Sequence, residues 1–243
     1  MYKDRQVTVV IPWIRKEAEI RDILSRIPSF VDEVVLVLDE ASREPVPDLS
    51  GFSRTRVVRV DARGYGSAYR NALLHARGDI IVALDADHLY PVDAVSYLIE
   101  ILLRSKARFI SGSRFPLENK NAMSLTHRLG NSFLSLVFSL LYLRWVRDSQ
   151  SGMWIFERSI LDEVELISDM RAFSEELKIE AIRNPHIGFL EVYVEFSSRS
   201  GEYKLRPWRD GVHNLLFMIR KYFTRRRSAE TRRPQRKKIE KQT

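Results

Sequence analysis

The tightest constraint on this chain is the run Ile80-Ile81-Val82-Ala83-Leu84, which ends in Asp85-Ala86-Asp87. Five consecutive apolar residues leave no polar face for solvent, the pattern of a strand buried on both sides in a parallel sheet. Parallel strands need crossover connections, so one such strand commits its surroundings to alternating strands and helices. Open sheets of this kind place ligands beyond the carboxyl ends of their strands. Two carboxylates one residue apart at that end suit a hard divalent cation whose shell is completed by substrate phosphates. Taken alone, the same three residues read more readily as an Asp-rich turn than as a site.

The flanking sequence repeats the pattern. Residues 7–11 and 34–38 are apolar runs, the first ended by Pro12 and the second by Asp39-Glu40, and 57–60 is a shorter one. Between the first two, Ala18, Ile20, Ile23, Leu24 and Ile27 fall at helical spacing over 17–27. A second helix over 67–76 is entered through Gly64-Tyr65-Gly66 and closed by Gly78, and residues 43–53, with Pro45, Pro47 and Gly51, form a loop. A helix over 91–104 with Pro91 in its first turn follows, then strands over 109–112, 153–156 and 190–196. This order predicts an α/β fold: a doubly wound, mostly parallel sheet with helices on both faces and right-handed crossovers. The domain spans 1–210 in this reading, an ordinary size for one unit.

Charge divides the chain. The net charge is +8, yet residues 220–243 hold eleven Lys/Arg and two Asp/Glu, a local balance of +9 that leaves the other 219 residues nearly neutral. The basicity belongs to a tail over 225–243, read as disordered. A near-neutral body argues against a nucleic-acid-binding protein. There is no cysteine, which removes disulfides, thiolate nucleophiles and cysteine metal sites. The apolar stretch at 7–14 is too short for a signal-peptide core and runs at once into Arg15-Lys16-Glu17. Residues 133–143 are apolar but too few to span a bilayer, leaving a core helix or a helix lying at a membrane surface. Over 211–224, Val212, Leu215, Leu216, Ile219, Tyr222 and Phe223 share one side and Arg225-Arg226-Arg227 follow. That is either a helix docked on the domain or an amphipathic helix bound to an anionic membrane surface.

The motifs, in their order and spacing, resemble those of family 2 glycosyltransferases, in the polyprenyl-phosphate sugar synthase group typified by dolichyl-phosphate mannose synthase. Val9-Val10-Ile11-Pro12 followed by Glu17 resembles the opening strand and its nucleotide contact, with Lys16 where Asn is usual. Leu38-Asp39-Glu40-Ala41-Ser42 resembles the V-D-D-x-S strand end, and Arg63-Gly64-Tyr65-Gly66-Ser67-Ala68 the N-x-G-x-G-x-A turn beside the nucleotide. Ala76-Arg77-Gly78-Asp79 precedes Asp85 as the family's lead-in to D-x-D does. Gly112-Ser113-Arg114, Asp148-Ser149-Gln150-Ser151-Gly152, and Glu191-Val192 followed by Arg199, Gly201 and Lys204 resemble its later motifs, with Tyr193 and Tyr203 as departures. Leu89 stands where related synthases often add a metal ligand. The match covers about 7–204.

The resemblance implies a GT-A fold and an inverting, metal-dependent transfer of a hexose, foremost mannose from GDP-mannose, to a polyprenyl or dolichyl phosphate. It implies Mg2+ or Mn2+ on Asp87, with Asp85 as a second ligand or a ribose contact. Pro12, Glu17, Asp39, Arg63, Gly64 and Asp85 would bind the nucleotide. Arg114, Arg128, Arg199 and Lys204 would hold the diphosphate and the acceptor, with Asp87, Arg114 and Arg199 carrying catalysis. Residues 199–209 would be a mobile loop closing over both substrates. A phosphate monoester has a second pKa of about 6, so it is already nucleophilic at neutral pH and needs cations rather than a base. Glu175 and Glu176 stand where relatives with soluble or protein-bound hydroxyl acceptors place a base, which is the alternative function. With Ser174 as N-cap they are also plain first-turn acids of a helix. The five histidines show no ligand spacing and read as structural. The implied location is cytoplasmic, on the cytoplasmic face of a membrane, reached through the anionic surface or a membrane partner protein.

Overall fold

The computed structural model describes residues 1–13, 20–41, 46, 48–86, 89–197 and 207–223. Seven strands form one sheet: β1 (Val7–Trp13), β2 (Glu33–Asp39), β3 (Thr55–Val60), β4 (Ile80–Ala83), β5 (Phe109–Ser113), β6 (Trp154–Glu157) and β7 (Phe189–Tyr193). Their spatial order is β3-β2-β1-β4-β6-β5-β7. Six run parallel, and β6 alone runs antiparallel, wedged between β4 and β5. This is the mostly parallel, doubly wound sheet that the sequence predicts; which strand would reverse has no signature in a run as short as Trp154-Ile155-Phe156.

The helices are α1 (Ile20–Arg26), α2 (Tyr65–His75), α3 (Ala94–Arg104), α4 (Leu125–Tyr142), α5 (Phe173–Arg183) and α6 (Pro207–Phe223). Two hydrophobic clusters, one on each face, hold them to the sheet. Ile20, Ile23 and Leu24 of α1 and Val95, Leu98, Ile99 and Leu102 of α3 pack on one side with Val9 and Ile11. Tyr69 and Leu73 of α2, Leu134 and Phe138 of α4, Leu177 of α5 and Met218 of α6 pack on the other with Val10. β1 is buried along its whole length, so both of its faces are spent on the core, as the uninterrupted apolar run requires.

Several boundaries move for local reasons. The α3 helix begins at Ala94, not Pro91; the turn before it is closed by the Ala94 N–H on the Pro91 carbonyl, 3.1 Å, and the Val95 N–H on the Val92 carbonyl, 3.1 Å. The α5 helix begins at Phe173 with Ala172 at its N-cap, so Ser174 is inside the helix and does not cap it. The α6 helix begins at Pro207 and crosses the boundary drawn at 210/211. It is docked on the domain through a buried face and leaves an apolar stripe uncovered on the other.

The chain winds outward through β1, β2 and β3, then returns across β1 to place β4 on its other side. The reversal makes a crevice between the carboxyl ends of β1 and β4, the place where such sheets bind ligands.

Candidate active site

Asp85 stands two residues beyond β4, at that crevice, and is half-buried. Its Oδ1 accepts hydrogen bonds from the Tyr69 hydroxyl at 2.9 Å and the Tyr65 hydroxyl at 3.2 Å. The two tyrosines sit one turn apart on α2, their rings edge to face with centroids 4.9 Å apart. Burial first, and then the Asp85 charge, push both phenols well above their ordinary range. They therefore remain protonated donors and fix the carboxylate. On the other side lies Gly152: a Cβ there would stand 2.6 Å from Asp85 Oδ2. The glycine of the D-S-Q-S-G motif is required by the aspartate of D-x-D.

Asp39 closes β2, and its Oδ1 accepts the N–H groups of Ala41, 3.1 Å, and Ala62, 3.3 Å. It ties the end of β2 to the turn after β3, and Arg63 follows with an exposed guanidinium 3.5 Å from Asp61. Pro12 sits in a central strand, normally a poor place for a residue without an N–H. The Val10 carbonyl accepts from the Leu84 N–H, 3.1 Å, so Pro12, two residues on, faces the side where β4 has already ended. Gly64 and Gly66 have a packing reason of their own. Cβ atoms on them would meet the carbonyls of Asp169 at 2.6 Å and Ser168 at 2.3 Å. The N–H groups of Gly66 and Ser67 donate to the Asp169 carbonyl, 2.9 and 3.2 Å.

Arg114 follows β5 and is held on all sides. Its Nε and Nη2 donate to Asp148 Oδ2 and Oδ1 at 2.6 and 2.7 Å, its backbone N–H donates to Oδ2 at 3.0 Å, and Nη2 donates to Asn131 Oδ1 at 3.1 Å. The Phe196 ring lies 5.3 Å from the guanidinium carbon. Asp148 is fully buried. Burial pushes its carboxyl up, but the Arg114 charge and hydrogen bonds together with the Lys178 charge outweigh that and hold it below the usual range. Burial likewise works against the Arg114 charge, and Asp148 more than offsets it, so the guanidinium is raised further and permanently cationic.

Residues 148–152 join these two halves, with Asp148 gripping Arg114 and Gly152 admitting Asp85. Glu191 accepts the Arg147 and Asp148 N–H groups at 2.7 and 2.8 Å. Ser135 of α4 accepts the Ser149 N–H at 2.9 Å. The Lys178 ammonium, fully buried on α5, donates to the carbonyls of Ser149, 2.9 Å, and Ser151, 2.8 Å. Burial lowers Lys178 to about 8. The Tyr90 hydroxyl accepts the Gly152 N–H at 2.8 Å. The sequence reading missed Tyr65, Tyr69, Tyr90 and Lys178. The two tyrosines carried a signal, helical spacing immediately before the D-x-D strand; Lys178, among Leu177 and Ile179, carried none.

Arg128 is half-buried on α4, one turn before Asn131. His127 beside it donates or accepts at the Ser124 hydroxyl through Nδ1, 3.1 Å, and is lowered by burial and then by the Arg114 charge. Glu176 is fully engaged: Oε2 accepts the N–H groups of Ile167 and Ser168 at 2.9 and 2.8 Å, and Oε1 accepts from the Lys221 ammonium at 2.8 Å. Glu175 accepts from the Gln150 amide and is fully buried. Glu176 is thus built into the fold, whereas Glu175 lies against the 148–152 segment through Gln150. Glu17, Asp87, Arg199 and Lys204 lie outside the described residues, as does most of the segment 199–209. Among the described residues no cluster of three or more His, Asp or Glu forms a metal cage. Asp85 itself, a hard oxygen donor beside a glycine whose Cβ would fill the space, has the chemistry of a ligand to Mg2+ or Mn2+.

Residues 8–165 match Glycosyl transferase family 2. The chain is 26% identical over 219 residues to the low-salt glycan biosynthesis hexosyltransferase Agl6 of Haloferax volcanii, covering 88% of itself and 53% of that protein, so it spans about half of that relative's length. It is 27% identical over 214 residues to the dolichyl-phosphate hexose transferase of the same organism, covering 87% of itself and 91% of that protein. The fold is that of glucosyl-3-phosphoglycerate synthase from Mycobacterium tuberculosis, solved with Mn2+, UDP-glucose and phosphoglyceric acid, with a TM-score of 0.74 at 18% identity over 95% of this chain and 86% of that one.

Proposed function

The chain belongs to glycosyl transferase family 2 and is a glycosyltransferase with the GT-A fold, and on that footing we propose that it transfers a hexose from a nucleotide donor to a polyprenyl phosphate, with inversion. The observation that carries this reading is the contrast between Arg114 and the two glutamates. The acceptor side holds a largely buried, permanent cation, while of the acids at the base position of hydroxyl-acceptor relatives Glu176 is consumed inside the fold and Glu175 is buried against the Gln150 amide. A phosphate acceptor needs the first and not the second.

Asp39, Arg63, Pro12 and Glu17 line the nucleoside end in this reading, and the donor is GDP-mannose. Asp87 with Asp85 would hold Mg2+ or Mn2+, which supplies Lewis-acid neutralisation of the leaving diphosphate. Arg114 and Arg128, with Arg199 and Lys204 from the following segment, hold the acceptor phosphate and the diphosphate. A phosphate oxygen attacks the anomeric carbon as the bond to the diphosphate breaks on the opposite face, which inverts the centre. Arg114 keeps its angle because Asp148 fixes the plane of its fork.

The acceptor's lipid tail places the site at a membrane surface. No helix among the described residues is long and apolar enough to cross one. The α4 helix exposes Leu125, Leu129, Phe133, Leu136, Leu140 and Leu143, which fall within an arc of about 80° at 3.6 residues per turn. The α6 helix exposes Val212, Leu216, Ile219 and Phe223 on a similar arc. Both stripes lie opposite buried faces that pack into one cluster, so both look outward from the same side of the sheet. The α4–α6 face, together with the basic composition of residues 225–243, supports peripheral docking on the anionic cytoplasmic face of a membrane. Transfer of label from a panel of radiolabelled nucleotide hexoses to a short polyprenyl phosphate, with Mg2+ or Mn2+, tests the proposal. Label entering the organic phase with one donor is expected; no lipid-soluble label with any donor overturns it.

A further inference from the structure

Four of the five residues in 148–152 are anchored by the catalytic body itself: Asp148 by Glu191, Ser149 by Ser135 and Lys178, Ser151 by Lys178 and the Gly112 carbonyl, Gly152 by Tyr90. Gln150 differs. Its Oε1 accepts from Asn214 Nδ2 of α6 at 2.8 Å, and its Nε2 donates to Ser149 Oγ at 3.0 Å and to Glu175 Oε1. Asn214 is 4% exposed. A polar residue so deeply buried on a docked helix is costly unless its partner is in place. Here Asn214 Oδ1 finds no partner among the described residues, so the bond to Gln150, with the Glu175 carboxyl beside it, compensates the buried amide.

Other anchors of α6 flank Asn214: Asp210 lies 3.7 Å from Arg171, and the Met218 carbonyl accepts from the Tyr142 hydroxyl at 2.8 Å. Lys221 donates to Glu176 and to the Glu165 carbonyl, 3.1 Å, and Arg183 of α5 caps the last turn at the carbonyls of Lys221 and Tyr222, both 2.9 Å. These contacts fasten α6 to the body, and Asn214 joins it to residues 148–152.

We propose that Gln150 and Asn214 are positioning residues for the transfer: through them the placement of Asp148, and hence of Arg114, depends on how α6 is seated. This rests on the polyprenyl-phosphate reading, since α6 carries part of the face offered to the lipid. Seating of that helix on its membrane and the readiness of the acceptor cation are then one equilibrium.

Steady-state kinetics of Asn214→Leu and Gln150→Leu test the coupling. Each raises KM for polyprenyl phosphate and leaves KM for the nucleotide sugar within about twofold; the rise is about 5- to 20-fold for Asn214→Leu, the size expected for one buried hydrogen bond, and at least as large for Gln150→Leu, which also loses the bonds to Ser149 and Glu175. The double variant is no worse than the poorer single, because the two act in series. Hydrogen exchange supplies a readout that needs no turnover. The Ser149 and Gly152 amides exchange about tenfold faster in either variant, while those of Val82 and Ile110 do not change. Unchanged exchange at 149 and 152, or equal losses in both KM values, overturns the proposal. Should the wild-type chain transfer nothing to polyprenyl phosphate, the functional reading fails and the exchange experiment still decides the coupling.

Discussion

Arg114 and Asp148 form a fork-on-fork pair, Nε to Oδ2 at 2.6 Å and Nη2 to Oδ1 at 2.7 Å, with the carboxylate wholly buried. The pair is 34 residues apart in sequence and fixes the end of β5 against the loop that leads into β6. Paired charges of this depth are neutral in net stability and severe when broken, because the survivor stays buried and uncompensated. Asp148→Asn therefore lowers stability by about 3–5 kcal/mol, read by denaturant titration. At permissive temperature it lowers kcat/KM by about 100-fold, the loss expected when a group aligned with transition-state charge drifts. Wild-type turnover in a folded Asp148→Asn protein would remove Arg114 from the transfer.

Tyr69 donates to Asp85 at 2.9 Å from the floor of the crevice. Tyr69→Phe keeps the ring and its packing against Trp154 and Phe173 and deletes only the hydroxyl. A bond to a charged group contributes about 1.5–3 kcal/mol, so nucleotide-sugar affinity falls roughly tenfold or more by calorimetric titration, with little change in acceptor KM. The opposite split would place Asp85 on the acceptor side.

Gly152→Ala pushes a methyl group to 2.6 Å from Asp85 Oδ2, a distance no packed pair adopts. The carboxylate must turn away from the tyrosines. Turnover falls about 100-fold while the far-ultraviolet spectrum is retained. An active Gly152→Ala enzyme would show that Asp85 is not held where this structure holds it.

Burial pushes the Glu175 carboxyl up to about 7 against its Gln150 and Lys178 contacts. A raised carboxyl binds its proton more tightly folded than unfolded, so its contribution to stability is full below the unfolded value near 4.5 and is lost as pH rises towards about 7. Glu175→Gln removes that dependence. Its melting temperature relative to wild type is expected to rise by several degrees between pH 4.5 and pH 8, followed by calorimetry. A pH-independent difference would mean that folding does not raise the Glu175 carboxyl.

Leu140→Glu and Leu216→Glu place a charge in each exposed stripe, where the native side chains are 67% and 60% exposed. Neither touches the core, so folding is preserved. Each removes about 1–2 kcal/mol of apolar insertion, and sedimentation with anionic vesicles falls about tenfold while turnover of a short, detergent-soluble acceptor persists. Undiminished vesicle binding by the double variant would sink the α4–α6 face as the docking surface.

The run 80–84 had one reading because five apolar residues in succession admit no solvent-facing side. The crossover rules then set the parallel sheet and the crevice at its carboxyl edge. The motifs Gly112-Ser113-Arg114 and 148–152 were visible as separate words. That one grips the other was not, since ion pairing across 34 residues leaves no periodicity. The stripe on α4 was half legible: its apolar content showed in sequence, but which residues the core would take depended on where α4 met the sheet. Ser174 was misread as a cap because propensity is local, and the chain had already turned helical at Phe173.

Sequence alone determined the alternation of strands and helices, the Asp pair at the end of β4 and the charge asymmetry of the tail, because each is a property of neighbours along the chain. Tertiary structure decided which cation was buried, which glutamates were consumed and that Asn214 reaches Gln150 across 64 residues. Those outcomes depend on the cost of burying polar groups without partners, and partners are assigned only when the helices pack.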